Sequence, residues 1–344
     1  MFIGVCGSAY AGKETVADYL VQQYGFTRLT LNETPAPATS APSSQIPLET
    51  SRHHFASATA LLDFVTTHWR ERWVVDDIPS LAILDLYARR PFFLLVSVDA
   101  PLLLRYQRFL TTPSTSHPSY HNLPHNPCPL EAFASFSDTH LYDSTSGQLP
   151  LMSRATVRIL NTATDKSLYI TLDKLNLLNP DRLRPSWDAY FMSLASLAAQ
   201  RSNCMKRRVG CVVVRDRRVI STGYNGTPRG LLNCGEGGCG RCNAGQGSGE
   251  GLATCLCLHA EENALLEAGR ERLREGAVLY CDTCPCLTCS IKIVQVGISE
   301  VVYSQEYSMD SMTATVLREG GVRLRQFVPP EGGLIRLEKA EQYN

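Results

Sequence analysis

The chain has 344 residues, 44% of them hydrophobic, which predicts globular protein in two domains. Its 33 basic and 33 acidic residues cancel, which argues against duplex nucleic acid or an anionic membrane as the main partner. The odd count of 13 cysteines, most of them between Cys204 and Cys289, favours thiolate metal binding over a disulfide framework and indicates a reducing compartment.

The first half alternates short apolar runs with helical patterns. Strands are predicted over 2–6, 73–78, 92–98 and 157–161, and helices over 13–24, 81–87 and 165–175. This alternation predicts an α/β domain with a parallel sheet over residues 1–178. Stretches rich in Pro and Ser near 31–52 and 111–149 are expected to be loops or disordered inserts.

A glycine loop follows the first predicted strand. Residues 7–13 read G-x-x-x-x-G-K, in which Gly7, Gly12 and Lys13 are typical of a loop that cradles phosphates at a helix N-terminus. The hydroxyl residue expected after Lys13, which would bind Mg²⁺, is Glu14, and Thr15 is displaced by one position. The domain resembles a P-loop kinase domain, and phosphoryl transfer, regulatory nucleotide binding and a purely structural role all remain open.

The second half predicts a mixed sheet flanked by helices, an α/β/α domain over residues 184–330 with a tail at 331–344. Ser186 is a plausible N-cap, and an apolar stripe that begins at Trp187 predicts a core helix. A hairpin is expected around Asp216-Arg217. The stripe comprises Trp187, Tyr190, Phe191, Leu194, Leu197 and Ala198.

Three soft metal ligands and one carboxylate stand out in this half. His259, Cys286 and Cys289 would bind Zn²⁺ and leave its fourth position open, as in a catalytic site, and both parts of the site should fall at helix N-termini. H-x-E followed by P-C-x-x-C is the known signature of zinc deaminases, with the Glu as general acid and base. Glu261 is therefore the expected catalytic residue, with Glu262 as its rival.

An alternative interpretation is a closed structural zinc site. Its ligands would be Cys281, Cys284, Cys286 and Cys289, which would leave the His-x-Glu segment unexplained.

Sequence motifs around the predicted metal ligands narrow the choice of deaminase family. Residues 201–204 (RSNC), 223–228 (GYNGTP) and 259–264 (HAEENA) strongly resemble the deoxycytidylate (dCMP) deaminases over about residues 185–327. The resemblance implies the cytidine deaminase fold, hydrolysis of dCMP to dUMP that supplies dTMP synthesis, a hexamer, activation by dCTP and inhibition by dTTP. It also implies that Arg201 and Tyr307 hold the phosphate, that Asn225 holds the deoxyribose or base, and that Asn263 supports the loop.

Some members of that family carry a second, structural zinc near this position. Cys204, Cys234 and Cys257 are its expected ligands, with Cys242 or Cys239 as the fourth. The alternative is a set of free, mostly buried thiols.

The partners expected from these patterns are small nucleotides. A polynucleotide cytidine or adenosine deaminase is the competing class, but the neutral charge and the lack of an aromatic stacking stripe in the second half argue against stable nucleic-acid binding. The other alternative is a bifunctional enzyme whose N-terminal domain is an active nucleotide kinase. No apolar stretch is long enough to span a bilayer and residues 1–5 lack a basic leader, so cytoplasmic or nuclear localisation is expected.

Overall fold

A computed structural model describes residues 1–31, 53–111, 129–162, 165–247, 250–273, 275–306, 311–328 and 333–336. The chain divides into two compact units, one made of Met1–Arg184 with Glu331–Asn344 and the other of Pro185–Pro330. The first unit is discontinuous in sequence, because the chain leaves it after Arg184 and returns to it after Pro330. Within the described ranges, no helix combines the length and the apolarity that crossing a bilayer requires.

The first unit is built on a parallel sheet, as predicted. Its strands are β1 (Phe2–Gly7), β2 (Thr27–Leu31), β3 (His53–Phe55), β4 (Trp73–Val75), β5 (Phe93–Asp99), β6 (Val157–Leu160) and β12 (Gly333–Arg336). They lie in the order β12-β6-β5-β1-β4-β2-β3, and every neighbouring pair is parallel. Its helices are α1 (Lys13–Tyr24), α2 (Ala58–Thr67), α3 (Leu81–Ala88), α4 (Leu102–Thr111), α5 (Leu130–Tyr142), α6 (Leu149–Ser153) and α7 (Asp165–Leu175).

The central strand β1 is covered on both faces. Ile3 and Val5 belong to one buried apolar cluster, and Phe2 and Cys6 belong to another. Because side chains alternate between the two faces of a strand, this division places one core on each side of the sheet. Such burial on both faces explains why β1 reads as a continuous apolar run and not as an alternating one.

Two predictions about irregular segments are wrong in part. The stretch 111–149 contains α5 and the start of α6, because Phe133 and Ser137 give α5 a buried face despite the polar composition around it. The predicted tail at 331–344 contains β12, which pairs with β6 along residues 333–336 and so gains ladder hydrogen bonds in the first sheet. The predicted insert at 31–52 lies outside the described residues from 32 onward.

The second unit has the predicted mixed sheet. Its strands are β7 (Gly210–Arg215), β8 (Arg218–Tyr224), β9 (Val278–Thr283), β10 (Glu300–Gln305) and β11 (Arg323–Gln326), in the order β11-β10-β9-β7-β8. Strands β9, β10 and β11 are parallel, and β7 is antiparallel to β8 and β9. The helices are α8 (Trp187–Ala199), α9 (Gly240–Asn243), α10 (Ala260–Ala268), α11 (Arg270–Leu273), α12 (Leu287–Val296) and α13 (Ser311–Glu319). The hairpin turn at Asp216-Arg217 is confirmed, with φ of 51° and 61°.

Two glycines let helices approach the sheet backbone closely. A Cβ atom on Gly210 would lie 1.9 Å from the carbonyl oxygen of Ala195 in α8. A Cβ atom on Gly223 would lie 2.2 Å from the carbonyl oxygen of Ala260 in α10. Both strands therefore need a residue without a side chain, since the obstacle in each case is backbone that cannot rotate away.

The buried face of α8 differs from the predicted stripe. Phe191, Met192, Ala195 and Ala199 are buried, whereas the predicted core residues Trp187 and Tyr190 are each 45% exposed and Leu197 is 58% exposed. The helix rests on β7 through small residues opposite Gly210, so close packing turns part of the aromatic stripe outward.

Candidate active site

Two helix N-termini bring the predicted metal ligands together, as expected. His259 is the N-cap of α10 and Cys286 is the N-cap of α12, with Cys289 in the first turn of that helix. The Nδ1 atom of His259 lies 3.3 Å from the sulfur of Cys286 and 3.4 Å from that of Cys289. The His259 side chain is exposed and Cys289 is buried, so the ligand set opens to solvent on one side.

The charges at this site favour ligation. A hydrogen bond from the Cys289 thiol lowers the pKa of Cys286 to about 3, which favours the thiolate form that binds metal. The helix N-terminal dipole acts in the same direction, because it stabilises negative charge on sulfur.

The carboxylate predicted to act beside these ligands is buried. Glu261 is only 4% exposed, and burial raises its pKa to about 7. Its neighbour Glu262 instead forms an ion pair of 2.7 Å with Lys292 of α12. Glu262 is thus committed to linking two helices, whereas Glu261 has the environment of a group that exchanges protons near neutral pH.

The closed arrangement of four cysteines does not form. Cys281 is fully buried within β9, where it stands opposite Cys211 of β7, and the group around Cys286 and Cys289 is completed by His259. Cys281 lies on a strand, and its side chain packs in the buried apolar cluster beside the sheet.

The residues implied in nucleotide binding have different surroundings. Asn225 is buried, and its Oδ1 accepts hydrogen bonds from Ser202 Oγ at 2.7 Å and from the Val209 amide at 2.8 Å. Asn263 Nδ2 donates to the carbonyl of Tyr224 at 2.8 Å, which ties α10 to the loop that carries Asn225. Arg201 has an exposed side chain just after α8, and Tyr307 lies outside the described residues.

Ser202 was missed in the sequence. Its hydroxyl binds both the side chain and the backbone carbonyl of Asn225 and accepts from the amide of Cys204 at 3.2 Å. The only available signal was its place in the segment that resembles the family, because Ser alone is unremarkable in a loop.

Six further cysteines gather next to this site. Cys204, Cys234, Cys242 and Cys257 form one group whose sulfurs all lie within 4.8 Å of one another. Cys239 and Cys255 also lie in the cluster, and Cys255 had not been predicted as a ligand. Cys239 was the predicted alternative fourth ligand, and the spacing Cys-x-Cys at 255–257 was the signal that could have included Cys255.

The glycine loop of the first unit lies between β1 and α1. Gly7 and Gly12 have φ of 143° and 102°, and a Cβ on Gly7 would lie 1.9 Å from the carbonyl oxygen of Val98. Lys13 Nζ donates to the carbonyl of Gly7 at 3.2 Å. The strand that precedes the loop has β4 on one side and β5 on the other, so the loop lies at the point where the strand order reverses, where parallel sheets bind ligands.

Comparison with known proteins finds similarity to cytidine and deoxycytidylate deaminases. Residues 185–305 match the family model of the cytidine and deoxycytidylate deaminase zinc-binding region. The chain is 48% identical to the deoxycytidylate deaminase of Schizosaccharomyces pombe over 97% of this chain and 99% of that one, and 43% identical to that of Saccharomyces cerevisiae over 95% and 96%. The dCMP deaminase of cyanophage S-TIM5, crystallised with dCMP and dUMP, is 32% identical over 40% of this chain and 94% of that one, with a TM-score of 0.33.

Proposed function

The chain belongs to the deoxycytidylate deaminase family, and from that premise we propose how its own residues deaminate dCMP to dUMP and ammonia. The observation that carries the proposal is the convergence of one imidazole and two thiols, with His259 Nδ1 3.3 and 3.4 Å from the two sulfurs. Three nitrogen and sulfur ligands beside an exposed face suit a catalytic Zn²⁺, and a bound Zn²⁺ would lower the pKa of a water molecule to about 7.

Glu261 supplies the proton transfers. Its carboxylate accepts a proton from the attacking water and delivers it to N3 of the cytosine, and then accepts the proton of the new C4 hydroxyl and delivers it to the leaving amine. Burial prepares it for both roles, because a pKa of about 7 makes its protonated and ionised forms similarly accessible near neutral pH. The hydrogen bonds of Asn263 and Ser202 hold the adjoining loop, so that the base is presented to Glu261 in a fixed position.

The nucleotide is recognised by its phosphate and sugar. Arg201 holds the phosphate together with Tyr307, since a guanidinium offers forked donors to phosphate oxygens. Asn225 contacts the deoxyribose or base through the second hydrogen of its amide, whose first hydrogen is donated to the carbonyl of Arg207 at 2.7 Å. The exposure of Arg201 supports this role, because the side chain can reach a ligand without breaking a buried contact.

Replacing Arg201 by Ala should raise the KM for dCMP by at least about tenfold, the effect of losing a charge-assisted contact to phosphate. The low rate on deoxycytidine, which has no phosphate, should stay unchanged. Ammonia release from dCMP, deoxycytidine and a single-stranded oligonucleotide measures both effects. Arg218→Ala, an exposed arginine at the hairpin turn, is the matched control. Equal loss on dCMP and deoxycytidine would contradict the phosphate role, and preference for the oligonucleotide would favour a polynucleotide deaminase.

Regulation and assembly are proposed from the resemblance to the family. We propose that dCTP activates and dTTP inhibits the enzyme, with Mg²⁺ accompanying these triphosphates, and that the chain forms a hexamer. A structural zinc bound by Cys204, Cys234, Cys242 and Cys257 is part of the same proposal, supported by the proximity of their sulfurs. Initial rates with each triphosphate and sedimentation of the full chain test the regulation and the assembly.

The first unit provides a second nucleotide site in this proposal. The loop over 7–13 has the conformation that only glycine adopts readily at Gly7 and Gly12, and it leads directly into the N-terminus of α1, where the helix dipole favours phosphate. Thr15 stands one residue beyond the position from which a hydroxyl would bind Mg²⁺, so binding is favoured over phosphoryl transfer.

Replacing Lys13 by Ala should weaken ATP binding to the full chain by at least about tenfold, because the lysine is the charged element of the loop. Titration calorimetry with and without Mg²⁺ measures the binding, and chromatography of ADP measures phosphoryl transfer. Lys174→Ala, an exposed lysine on α7, should bind ATP as the unmodified chain does. Undetectable ATP binding by the unmodified chain would make this loop structural.

A further inference from the structure

The six clustered cysteines form two groups of four that share two members. One group is Cys204, Cys234, Cys242 and Cys257, and the other is Cys239, Cys242, Cys255 and Cys257. Within each group all sulfurs lie within 4.8 Å of one another. Cys242 and Cys257 therefore belong to both groups, and one ion with four ligands cannot bind all six sulfurs.

The sulfur separations suit metal ligation and not disulfide bonds. The Cys242 sulfur lies 3.9 Å from that of Cys257 and 4.0 Å from that of Cys255, and Cys239 and Cys255 are 3.9 Å apart. Tetrahedral Zn²⁺ with Zn–S bonds of about 2.3 Å requires sulfurs about 3.8 Å apart, whereas a disulfide would bring them to about 2 Å. The separations within the shared pair and on the side of Cys239 and Cys255 match the metal geometry, and the sulfurs of Cys204 and Cys234 lie within 4.8 Å of the shared pair.

We propose that this cluster holds two zinc ions, with the thiolates of Cys242 and Cys257 bridging them. Cys204 and Cys234 complete one ion, and Cys239 and Cys255 complete the other, so each ion has four sulfur ligands and every cysteine of the cluster is used. This inference deepens the proposed structural zinc site and is independent of the catalytic one.

Neighbouring donors compensate the charge of such a centre, since six thiolates carry more negative charge than two divalent ions offset. Arg241 is 9% exposed, and its Nη1 lies 3.8 Å from the Cys255 sulfur. The guanidinium is held there by the carbonyls of Glu250 and Gly247. The amide of Leu256 also donates to the Cys239 sulfur at 3.4 Å. Donors of this kind around a metal centre orient its ligands and spread their charge.

Among its described residues, the segment between Gly226 and Leu258 buries its cysteines more deeply than its leucines. Its leucines Leu231, Leu232, Leu252 and Leu256 are each about half exposed, whereas Cys234, Cys239 and Cys242 are buried. The core of this segment is therefore made of sulfur, and metal binding would supply its folding free energy.

The base of that segment adjoins the active site. Gly226 and Leu258 exchange backbone hydrogen bonds of 3.1 and 2.9 Å, directly next to Asn225 on one side and His259 on the other. Ordering of the segment by two ions would fix the spacing between these residues. The centre is in this way a positioning element for the active site.

Metal analysis of the full chain tests the proposal. Three zinc ions per chain are expected, one at His259 and two in the cluster. A count of two zinc ions would overturn the shared-ligand centre in favour of a single structural zinc. A count of one would overturn both the shared-ligand centre and the single structural zinc. Iron in the cluster would overturn the zinc assignment in favour of an iron–sulfur centre. In Cys286→Ser, loss of one ion together with dCMP turnover is expected, with two ions retained.

X-ray absorption of the zinc-loaded Cys286→Ser protein gives an independent readout. A zinc–zinc scattering path is expected, because only bridged ions lie close enough to produce one, and its absence would overturn the proposal even if the metal count were met. Cys239→Ser and Cys255→Ser should each lose this path. Cys6→Ser, a buried cysteine of β1 outside the cluster, should keep it.

Discussion

Glu261→Gln should lower the rate of dCMP deamination by at least about a thousandfold, since general acid and base catalysis by one residue contributes about 10²- to 10⁴-fold and this carboxyl serves several transfers. The amide has the shape of the carboxyl but cannot accept and return a proton. Because Glu261 is not a metal ligand, zinc content should stay unchanged. Ammonia release and metal analysis on the same preparation measure the two effects.

Glu262→Gln is the matched control, since it makes the same chemical change at the next residue. It breaks the ion pair with Lys292, in which the two side chains are 26% and 45% exposed, so a stability loss below about 1 kcal/mol is expected. Turnover of dCMP should be preserved. The assignment of Glu261 would fail if its variant kept more than a tenth of the activity, or if both variants were equally impaired.

Gly223→Ala should destabilise the second unit by about 3 kcal/mol, the upper end of the cost of overpacking. The new Cβ would lie 2.2 Å from the carbonyl oxygen of Ala260 and 2.5 Å from the amide nitrogen of Ala264, so α10 must move off the sheet. His259 and Glu261 begin that helix, and dCMP turnover should therefore fall together with stability. Calorimetric unfolding and ammonia release of the same protein measure both.

Gly240→Ala provides the comparison, because a Cβ at that position meets no atom within 4 Å and the residue does not have positive φ. It should unfold at the same temperature as the unmodified chain or slightly above it. If Gly223→Ala matched Gly240→Ala in stability and activity, close contact between α10 and β8 would not position the catalytic helix.

Local patterns predicted the parts of the structure that depend on local sequence. The helix over Lys13–Tyr24 and the hairpin at Asp216-Arg217 have the predicted positions, because periodicity and turn residues determine both. The candidate ligands could be predicted from short spacings, Cys-x₂-Cys for Cys286 and Cys289 and His-x-Glu for His259, and the structure brings the three together. The strands of the mixed sheet in the second unit could also be predicted one by one, because each is a short local run of residues.

Features that depend on contacts between residues far apart in sequence were not predictable from local patterns. The return of residues 333–336 to the first sheet depends on the open edge of β6, which lies far away in sequence. The buried face of α8 was misjudged because Gly210 favours small residues beneath the helix over large ones. Which of the six cysteines lie close together depends on the folding of a whole loop, and short spacings reveal pairs but not groups.

The discontinuity of the first unit has a consequence for biosynthesis. Strand β12 is translated after all of Pro185–Pro330, so on the ribosome β6 must wait for its neighbour until the entire second unit has been made. At about 5 to 20 residues per second this delay is on the order of ten seconds. The contiguous second unit can complete its fold first, which reverses the usual order from N-terminus to C-terminus and leaves β6 as an unpaired edge of the nascent first sheet in the meantime.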